Sequence, residues 1–417
     1  MRTLLDFLLH AINYDYFPKI SLRLRNFVNS VVGFISLAAL ISLSCGLLIH
    51  HHGYILFTLL ISILLFGIAF SRVAHKLLCG SIDINTAAIY EDSPLNLFVN
   101  LYNASYWKLR GLSVHLELYD NSRSSSFTTF IHSISRRSYL TYFARIPNLA
   151  RGIYPKSTPY VSTKFPFGIW ECRRELEVKR NIVVWPKVFP VGPVPYLDTT
   201  KSHNGLIVAN RAGCHGEVFA IRPYRRGDLL RKVHWTQTAR HDQLIVCEMH
   251  TFTRPRIHII LDTNDFVHAG LGSNSTREWA IRIAASFVKG WIEQGAEVGI
   301  QWDNHYFAPA FGNAHINSLL NSLASIPDST RIRLSEVLSK SRQLYRHDAI
   351  HIIITTDISL ADINPNQLAL HKIVMFICNS FDRSICRAKL PLGFVPWLVI
   401  DEPKSIPSLL FNSWSEV

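Results

Sequence analysis

The chain has 417 residues, an apolar fraction of 48% that is high for a purely soluble protein, and only 18% charged residues. Its formal net charge of +13 excludes a strongly acidic protein and favours an acidic partner, either anionic lipid or nucleic acid. Its seven cysteines are scattered and contain no CxxC pair, which argues against a disulfide framework, and we interpret them as mostly buried thiols.

Residues 1–27 are the predicted cytoplasmic N-terminal segment, and residues 28–70 are a predicted transmembrane helical hairpin. The uncharged run Val28 to Ile49 spans roughly 33 Å as a helix, enough to cross the hydrocarbon core of a bilayer. A second uncharged run, Tyr54 to Phe70, follows after a short turn. Three consecutive histidines, His50 to His52, stand in this turn, and we expect them to be solvated, because such neighbours do not easily converge on one metal ion.

Charged residues next to the two runs predict the orientation of the hairpin. Lys19, Arg23 and Arg25 precede the first run, Arg72 and Lys76 follow the second, and the turn has neither Lys nor Arg. Basic residues near the ends of a span stay in the cytoplasm. We therefore expect a multi-pass protein of the inner membrane with both termini in the cytoplasm.

Residues 81–195 contain short runs of alternating polar and apolar residues, such as LNLFVNLYN and FTTFIHSI, rich in β-branched and aromatic types. This pattern predicts antiparallel strands in a small β-sandwich-like region. The serine-rich run SRSSS, residues 122–126, is predicted to be a surface loop by its composition. The region holds no carboxylate pair or Cys and His arrangement, so we expect a spacer or an interaction module.

Residues 196–254 contain an Arg-rich segment that has two interpretations. It is either a polyanion surface, where guanidinium groups bind phosphate and aromatic residues stack on bases, or a structural network. In the network, Asp228 and Glu248 pair with arginines while Trp235 packs beneath them. The basic side chains closest together are Arg222, Arg225, Arg226, Arg231, Lys232 and Arg240.

The run RPYRRGDLLRKVHWTQTAR, followed by LIVCE, closely resembles the signature of the bacterial domain of unknown function 58 family. That signature is an Arg-x-Tyr-x-x-Gly-Asp-x-x-Arg-x-(Ile/Val)-x-Trp pattern before an Ala-Arg pair. FPFGIW, from Phe165, resembles a further element of the family. The matching positions of the signature are Arg222, Tyr224, Gly227, Asp228, Arg231, Val233, Trp235, Ala239 and Arg240. The resemblance implies a von Willebrand factor A-like C-terminal domain and an association with MoxR-type AAA+ ATPases in the bacterial cell envelope; it implies no reaction.

Residues 255–417 alternate continuous apolar strands with helices, which predicts a doubly wound α/β sheet. Ser275 and Glu278 have the spacing of a capping box at the start of an amphipathic helix. The expected fold class is therefore α/β, with the helical hairpin and the sandwich-like region in front of a von Willebrand factor A-like sheet.

Two aspartates of this region, Asp262 and Asp357, fall at the carboxyl ends of predicted strands, where open α/β sheets bind ligands. With Asn264 they form a candidate site for Mg²⁺. The von Willebrand resemblance implies Asp-x-Ser-x-Ser after the first strand, but this chain has Asn264 and Phe266 at the two serine positions. We therefore treat the metal site as degenerate and name no certain cofactor.

No set of residues forms a catalytic constellation, so we do not expect an enzyme. The preferred function is a membrane-anchored scaffold or adaptor that binds a protein partner, with a MoxR-type ATPase as the expected partner in envelope assembly or maturation. Two alternatives stay open: a metal-dependent enzyme that uses Asp262 and Asp357, and a polyanion binder that uses the Arg-rich segment. We do not expect nucleic acid as the partner.

Overall fold

The computed structural model describes residues 30–412 apart from a set of short gaps. The gaps are residues 85, 121–122, 148, 166, 169, 196–201, 204–205, 328, 342–348, 364–367, 369–370, 383–384 and 386–394. The predicted N-terminal segment, residues 1–27, lies outside the described residues, as does Cys386.

Two apolar helices form a hairpin at the start of the described chain, α1 (Val31–Leu48) and α2 (His52–Leu77). Both are long and apolar enough to cross a membrane, α2 over His52–Phe70, and few of their side chains are buried. The helices meet at Gly53, where an added Cβ would lie 2.4 Å from the Gly46 nitrogen. The hydroxyl of Ser42 donates a hydrogen bond to the Gly53 carbonyl at 2.8 Å.

The predicted sandwich consists of two four-stranded sheets, in the orders β10-β1-β3-β6 and β5-β4-β8-β9, which share one apolar core. A three-stranded sheet, β2-β11-β7, accompanies them. The strands of the region are β1 (Leu78–Ile84), β2 (Ala88–Tyr90), β3 (Leu95–Asn103), β4 (Leu109–Asp120), β5 (Arg123–Ile134), β6 (Ser138–Ile146), β7 (Gly152–Tyr154), β8 (Tyr160–Thr163), β9 (Cys172–Glu175), β10 (Glu177–Val178) and β11 (Ile182–Trp185).

The prediction that the serine-rich run forms a surface loop is wrong for residues 123–126. These residues begin β5 and pair with β4, with Arg123 opposite Asp120 and Ser126 opposite Glu117. Serine favours turns only when no neighbouring strand competes for its backbone. Here a twelve-residue partner strand provides the cross-strand hydrogen bonds, so the hairpin extends through the serines.

The Arg-rich segment lies on a long twisted hairpin of β13 (Leu206–Pro223) and β14 (Ile245–Thr253), with β12 (Ser202–His203) beside it. A 3₁₀ turn, Leu230–Lys232, and the short helix α3 (Trp235–His241) connect the two long strands.

The C-terminal region is a six-stranded sheet in the order β17-β16-β15-β18-β19-β20. Every pairing is parallel except β17 with β16. By position along the chain the order is 3-2-1-4-5-6, so the direction of winding reverses between β15 and β18. The strands are β15 (Arg256–Leu261), β16 (Glu297–Trp302), β17 (His305–Ala310), β18 (Ala349–Thr356), β19 (His371–Phe376) and β20 (Leu398–Ile400).

Helices cover both faces of this sheet, as the alternation in the sequence predicted. Helices α4 (Thr276–Glu293), α5 (Asn313–Ala324) and α9 (Ile406–Asn412) contribute to the larger core on one face. Helices α6 (Leu334–Ser341) and α7 (Asp357–Ala361) pack on the other face, and α8 (Cys378–Phe381) follows β19. Ser275 caps α4 by accepting a hydrogen bond from the Glu278 amide at 3.3 Å, as predicted.

Two buried ion pairs fasten the β-rich region to the C-terminal domain. Arg151 makes a bidentate pair with Glu278 at 2.7 and 2.8 Å, and Arg282 makes one with Glu91 at 2.8 and 2.6 Å. Arg151 also donates to the carbonyls of α5 and of Ile326, which follows it. Glu278 is therefore turned away from the capping box and joins the two regions instead.

The cysteines differ from the prediction of mostly buried thiols. Of the five whose side chains the structure describes, only Cys247 and Cys378 are buried, Cys172 is half-buried, and Cys45 and Cys79 are exposed. Cys45 is on the apolar hairpin and Cys79 is the second residue of β1, so their exposure follows from the elements that carry them.

Candidate functional site

The tip of the β13–β14 hairpin is organised by Arg222 and Asp228. The guanidinium of Arg222 donates two hydrogen bonds to the Asp228 carboxylate, at 2.7 and 2.9 Å, and the Arg225 amide donates a third at 2.8 Å. These bonds, with Arg222 contributing most, lower the pKa of Asp228 to about 2. Gly227 precedes the aspartate with φ of +110°, a conformation that favours glycine. The Arg-Gly-Asp part of the signature therefore closes a local loop.

Most of the other signature side chains face solvent, whereas Val233 is buried. Trp235 is 67% exposed, which contradicts the interpretation that it packs beneath the arginines. It begins α3, whose short length gives it no deep core to enter. Arg231 and Arg240 are exposed, and Tyr224 is half-buried with its amide donating to the Leu244 carbonyl at 2.8 Å. Among the side chains that the structure describes, the pair of Arg222 and Asp228 fits the predicted network, and the side chain of Glu248 lies outside the described part.

A second candidate site lies at the carboxyl edge of the six-stranded sheet, where Asp262 and Asp357 follow β15 and β18. These two strands are neighbours, with Leu261 opposite Ile354, so the structure brings both aspartates to the point where the winding reverses. That is the edge at which doubly wound sheets bind ligands. Both carboxylates are almost fully buried, at 2% and 1% exposure.

The side-chain oxygens of the predicted metal ligands accept hydrogen bonds from backbone amides and a hydroxyl group of this chain. Asp262 accepts a hydrogen bond from the Thr355 hydroxyl at 2.7 Å and from the Asn264 amide at 3.2 Å. Asn264 Oδ1 accepts from the Phe266 amide at 3.2 Å. Asp357 Oδ1 accepts from the amides of Ile358 and Cys378, each at 3.1 Å. The three residues fasten the loops of this edge, and their role in metal binding stays a prediction.

A third aspartate at this edge, Asp303, was missed in the sequence. It accepts a hydrogen bond from the Thr263 hydroxyl at 2.7 Å and directly follows β16. Burial, and to a smaller extent the charge of Asp262, raises its pKa above the usual range of a carboxyl group. The signal was present, because Asp303 ends its strand just as Asp262 and Asp357 end theirs.

Two further titratable groups of the edge are held in their neutral forms by burial. Burial lowers the pKa of His268, whose Nε2 donates to the Asp262 carbonyl at 3.0 Å and whose Nδ1 lies 3.0 Å from the Thr276 hydroxyl. Burial also raises the pKa of the Cys378 thiol to about 12. A thiol that stays protonated is a poor nucleophile.

A cavity of about 650 Å³ opens beside the aspartates. It is lined by the loop after β15, by the start of α7 after β18, and by the segment that leads into α6, which supplies Arg331 and Arg333. Both arginines are exposed, and neither pairs with an acidic side chain among the described residues. Phe266, which is 76% exposed, stands at the same cavity. No pattern in the sequence indicated these arginines, because they reach the edge from a connection far from either strand.

Residues 220–372 match a family model described as Protein of unknown function DUF58. The matched residues run from the tip of the β13–β14 hairpin to the start of β19, so they contain both candidate sites. The match supports the resemblance that the Arg-x-Tyr-x-x-Gly-Asp signature carries. No curated protein matches the chain in sequence.

Solved structures give only weak likenesses. The CARDB domain of a Pyrococcus furiosus protein is 10% identical with a TM-score of 0.15, and the match covers 24% of this chain and 91% of that one. An exo-β-N-acetylglucosaminidase from Vibrio harveyi is 9% identical with a TM-score of 0.19, over 72% of this chain and 57% of that one. A β-glucuronidase from Parabacteroides merdae is 11% identical with a TM-score of 0.20, over 73% and 35%. Likenesses at these TM-scores carry no conclusion about this chain.

Proposed function

We propose that this protein is a membrane-anchored adaptor whose C-terminal domain, of the von Willebrand factor A type, binds a protein partner at the carboxyl edge of its sheet. The partner is a MoxR-type AAA+ ATPase working in envelope assembly or maturation. The hairpin α1–α2 anchors the chain in the bacterial inner membrane, and the large region after it stands in the cytoplasm. The resemblance to the family signature supports the fold type and the partner, and the geometry of the carboxyl edge supports the binding surface.

The observation that carries the proposal is a pair of guanidinium groups at the cavity beside the carboxyl edge, which we call the switch-point cavity. Neither group is paired with an acidic side chain within the described part of the chain. Arg331 and Arg333 are exposed beside a cavity of about 650 Å³, and Phe266 projects into solvent at the same place. Guanidinium groups bind carboxylates through two parallel hydrogen bonds, and exposed aromatic rings are enriched where proteins bind one another. Such an edge fits an acidic segment of a partner protein.

The state of the aspartates supports binding over metal-dependent catalysis. A metal ion needs carboxylate oxygens that are free to coordinate it. At this edge the carboxylates of Asp262 and Asp357 accept hydrogen bonds from their own chain, and burial raises the pKa of Asp303. Binding a cation here would replace several of these bonds.

The membrane part of the proposal is supported by composition and geometry together. The two helices have mean hydropathies of 2.3 and 2.4 over their spans, and 17% and 6% of the spans are buried. Helices of a soluble core would be covered by the rest of the chain. Arg72 and Lys76 stand in the last part of α2, and their positive charges support a cytoplasmic position for that end.

The test is crosslinking in native membranes followed by identification of the captured proteins. We compare the wild-type chain with a variant that carries both Arg331→Glu and Arg333→Glu. The matched control is Arg145→Glu, which reverses the charge of an exposed arginine on β6 in the sandwich region. We expect an AAA+ ATPase to be enriched with the wild type and the control, and to be lost with the double variant, because reversed charges repel an acidic partner.

Two outcomes would contradict the proposal. If no AAA+ ATPase is enriched over an unrelated membrane protein, the partner is wrong. If the ATPase is captured equally by the wild type and by the double variant, the carboxyl edge is not the binding surface. Equal amounts of each variant in the membrane fraction control for folding.

A further inference from the structure

The tip of the helical hairpin brings three imidazole rings together. His50, His51 and His52 have ring centroids 4.4 Å apart in all three pairs. Their nearest ligand nitrogens lie within 4.8 Å of one another, and all three side chains are exposed. Within the described residues, no other group of three or more His, Cys, Asp or Glu side chains is this close. The expected exposure of the three histidines is therefore confirmed, and their rings lie closer together than the sequence alone indicated.

The backbone of the turn explains why the rings converge. The Gly53 amide donates to the His50 carbonyl and the Tyr54 amide to the His51 carbonyl, each at 3.1 Å. These bonds fold the chain back sharply, so α2 begins one residue after His51. The close approach of α1 and α2 at Gly53 holds the two helix ends in place. The imidazoles therefore stand on a hydrogen-bonded turn between two closely packed helices.

We propose that His50, His51 and His52 bind one divalent transition-metal ion of the Zn²⁺ class. Three neutral imidazoles leave the fourth tetrahedral position to water, which is a common ligand set for Zn²⁺. Imidazole is also a ligand that suits Cu²⁺ and Ni²⁺, whereas Mg²⁺ and Ca²⁺ prefer oxygen. The site lies between the C-terminal end of α1, whose dipole attracts a cation, and the N-terminal end of α2, whose dipole repels one, so the two contributions oppose each other.

The electrostatic surroundings do not oppose a cation. From Ser30 to Ile82 the only formally charged residues are Arg72 and Lys76, which stand at the far end of α2. One contact must be given up on binding, the bond of 3.4 Å from the His52 amide to His50 Nδ1. That bond is long and weak by the usual limits. On the topology proposed above, the site faces the extracytoplasmic side; the metal binding itself does not depend on the adaptor function.

The test is a Zn²⁺ titration of the full chain in detergent micelles, stripped of metal by a chelator and followed by competition with a chromophoric indicator. The variant carries His50→Asn, His51→Asn and His52→Asn together. The matched control removes three other exposed imidazoles, His132→Asn, His241→Asn and His305→Asn, which lie on three different elements. We expect one Zn²⁺ per chain for the wild type and the control, and none for the variant.

A second measurement tests whether imidazole nitrogens are the ligands of the bound metal ion. The Cu²⁺-loaded wild type should show nitrogen hyperfine coupling in its electron paramagnetic resonance spectrum, and the variant should not. Should the triple change disturb the hairpin, His51→Asn alone should weaken Zn²⁺ binding by about tenfold or more. The proposal is overturned if the wild type binds no Zn²⁺, if the variant binds it as the wild type does, or if the control loses it equally.

Discussion

At the scale of single residues, His258 forms part of a row of histidines across the C-terminal sheet. His258 lies opposite His351 on β18, and His351 lies opposite His371 on β19, with ring centroids 5.8 and 5.7 Å apart. Tyr306 of β17 contacts the other side of the His258 ring at 5.3 Å. Both ring nitrogens of His258 are buried, and no group of the described chain hydrogen-bonds to them. This imidazole is therefore poorly placed to carry a proton.

Acid should destabilise the protein through His258. Burial, and then the neighbouring His351 and His371, lower its pKa from 6.5 to about 3. Below pH 6.5 the His258 imidazole binds a proton in the unfolded chain but stays neutral in the folded chain. The contribution of His258 to the free energy of unfolding is therefore complete above pH 6.5 and is lost as the pH falls towards 3. The loss is about 2 kcal/mol at pH 5. His258→Phe, which keeps the ring contact, should narrow the difference in thermal midpoint between pH 7.5 and pH 5.

If the thermal midpoints of the wild type and of His258→Phe fall equally between pH 7.5 and pH 5, His258 is not the cause of the acid destabilisation. Because the other two histidines remain in the variant, the comparison isolates the contribution of one ring. His132→Phe is the matched control, since His132 is exposed on β5 and its replacement should leave the pH profile unchanged.

At the scale of elements, the packing of α1 on α2 depends on Gly53. A Cβ at this position would lie 2.4 Å from the Gly46 nitrogen and 2.7 Å from the Ser42 carbonyl oxygen. Both atoms belong to the backbone, so no side chain can move aside to make room. Inserting a group into such a contact typically destabilises by about 1 to 3 kcal/mol.

We expect Gly53→Ala to separate the helices and lower the thermal midpoint of the full chain in detergent micelles. The control is Gly67→Ala on the same helix, where the added Cβ would lie 3.4 Å from the Trp170 ring, an ordinary contact. Helix propensity favours alanine at both positions, so a lower midpoint for Gly53→Ala alone isolates the close approach. Equal midpoints for the two variants would show that the helices tolerate a wider spacing.

At the scale of the whole molecule, the two buried ion pairs make the sandwich region and the α/β domain one unit. The side chains of Arg151 and Glu278 are 4% and 6% exposed, and those of Arg282 and Glu91 are 7% and 4% exposed. Removing one member of such a pair leaves an uncompensated buried charge. The pairs therefore make each region dependent on the other.

Arg151→Met should lower the free energy of unfolding by about 3 to 5 kcal/mol, measured by denaturant unfolding of the full chain. The control is Lys187→Met, which removes an exposed pair with Asp92 and should change it by at most about 1 kcal/mol. Adding Glu278→Leu to Arg151→Met should recover part of the loss, because the orphaned carboxylate is then gone. If the double variant is no more stable than the single one, lost packing and not the buried charge explains the effect.

Features that depend on near neighbours along the chain could be predicted from the sequence. Uncharged runs gave the hairpin, alternation gave strands such as Leu95–Asn103 with the predicted bounds, and Ser275 gave the start of α4. The strand-ending aspartates Asp262 and Asp357 located the carboxyl edge, and Asp303, which ends its strand in the same way, was missed. Each of these rests on periodicity or on contacts within a few residues, which a sequence displays directly.

Contacts between groups that are far apart along the chain depend on tertiary packing, which the sequence does not display. Glu278 fits a capping box locally but pairs with Arg151, 127 residues away, because a buried guanidinium binds it more strongly than one backbone amide does. Arg331 and Arg333 reach the switch-point cavity through the packing of a connection that has no pattern of its own. The convergence of His50, His51 and His52 likewise depends on how closely two helices approach, a distance set by packing and not by composition.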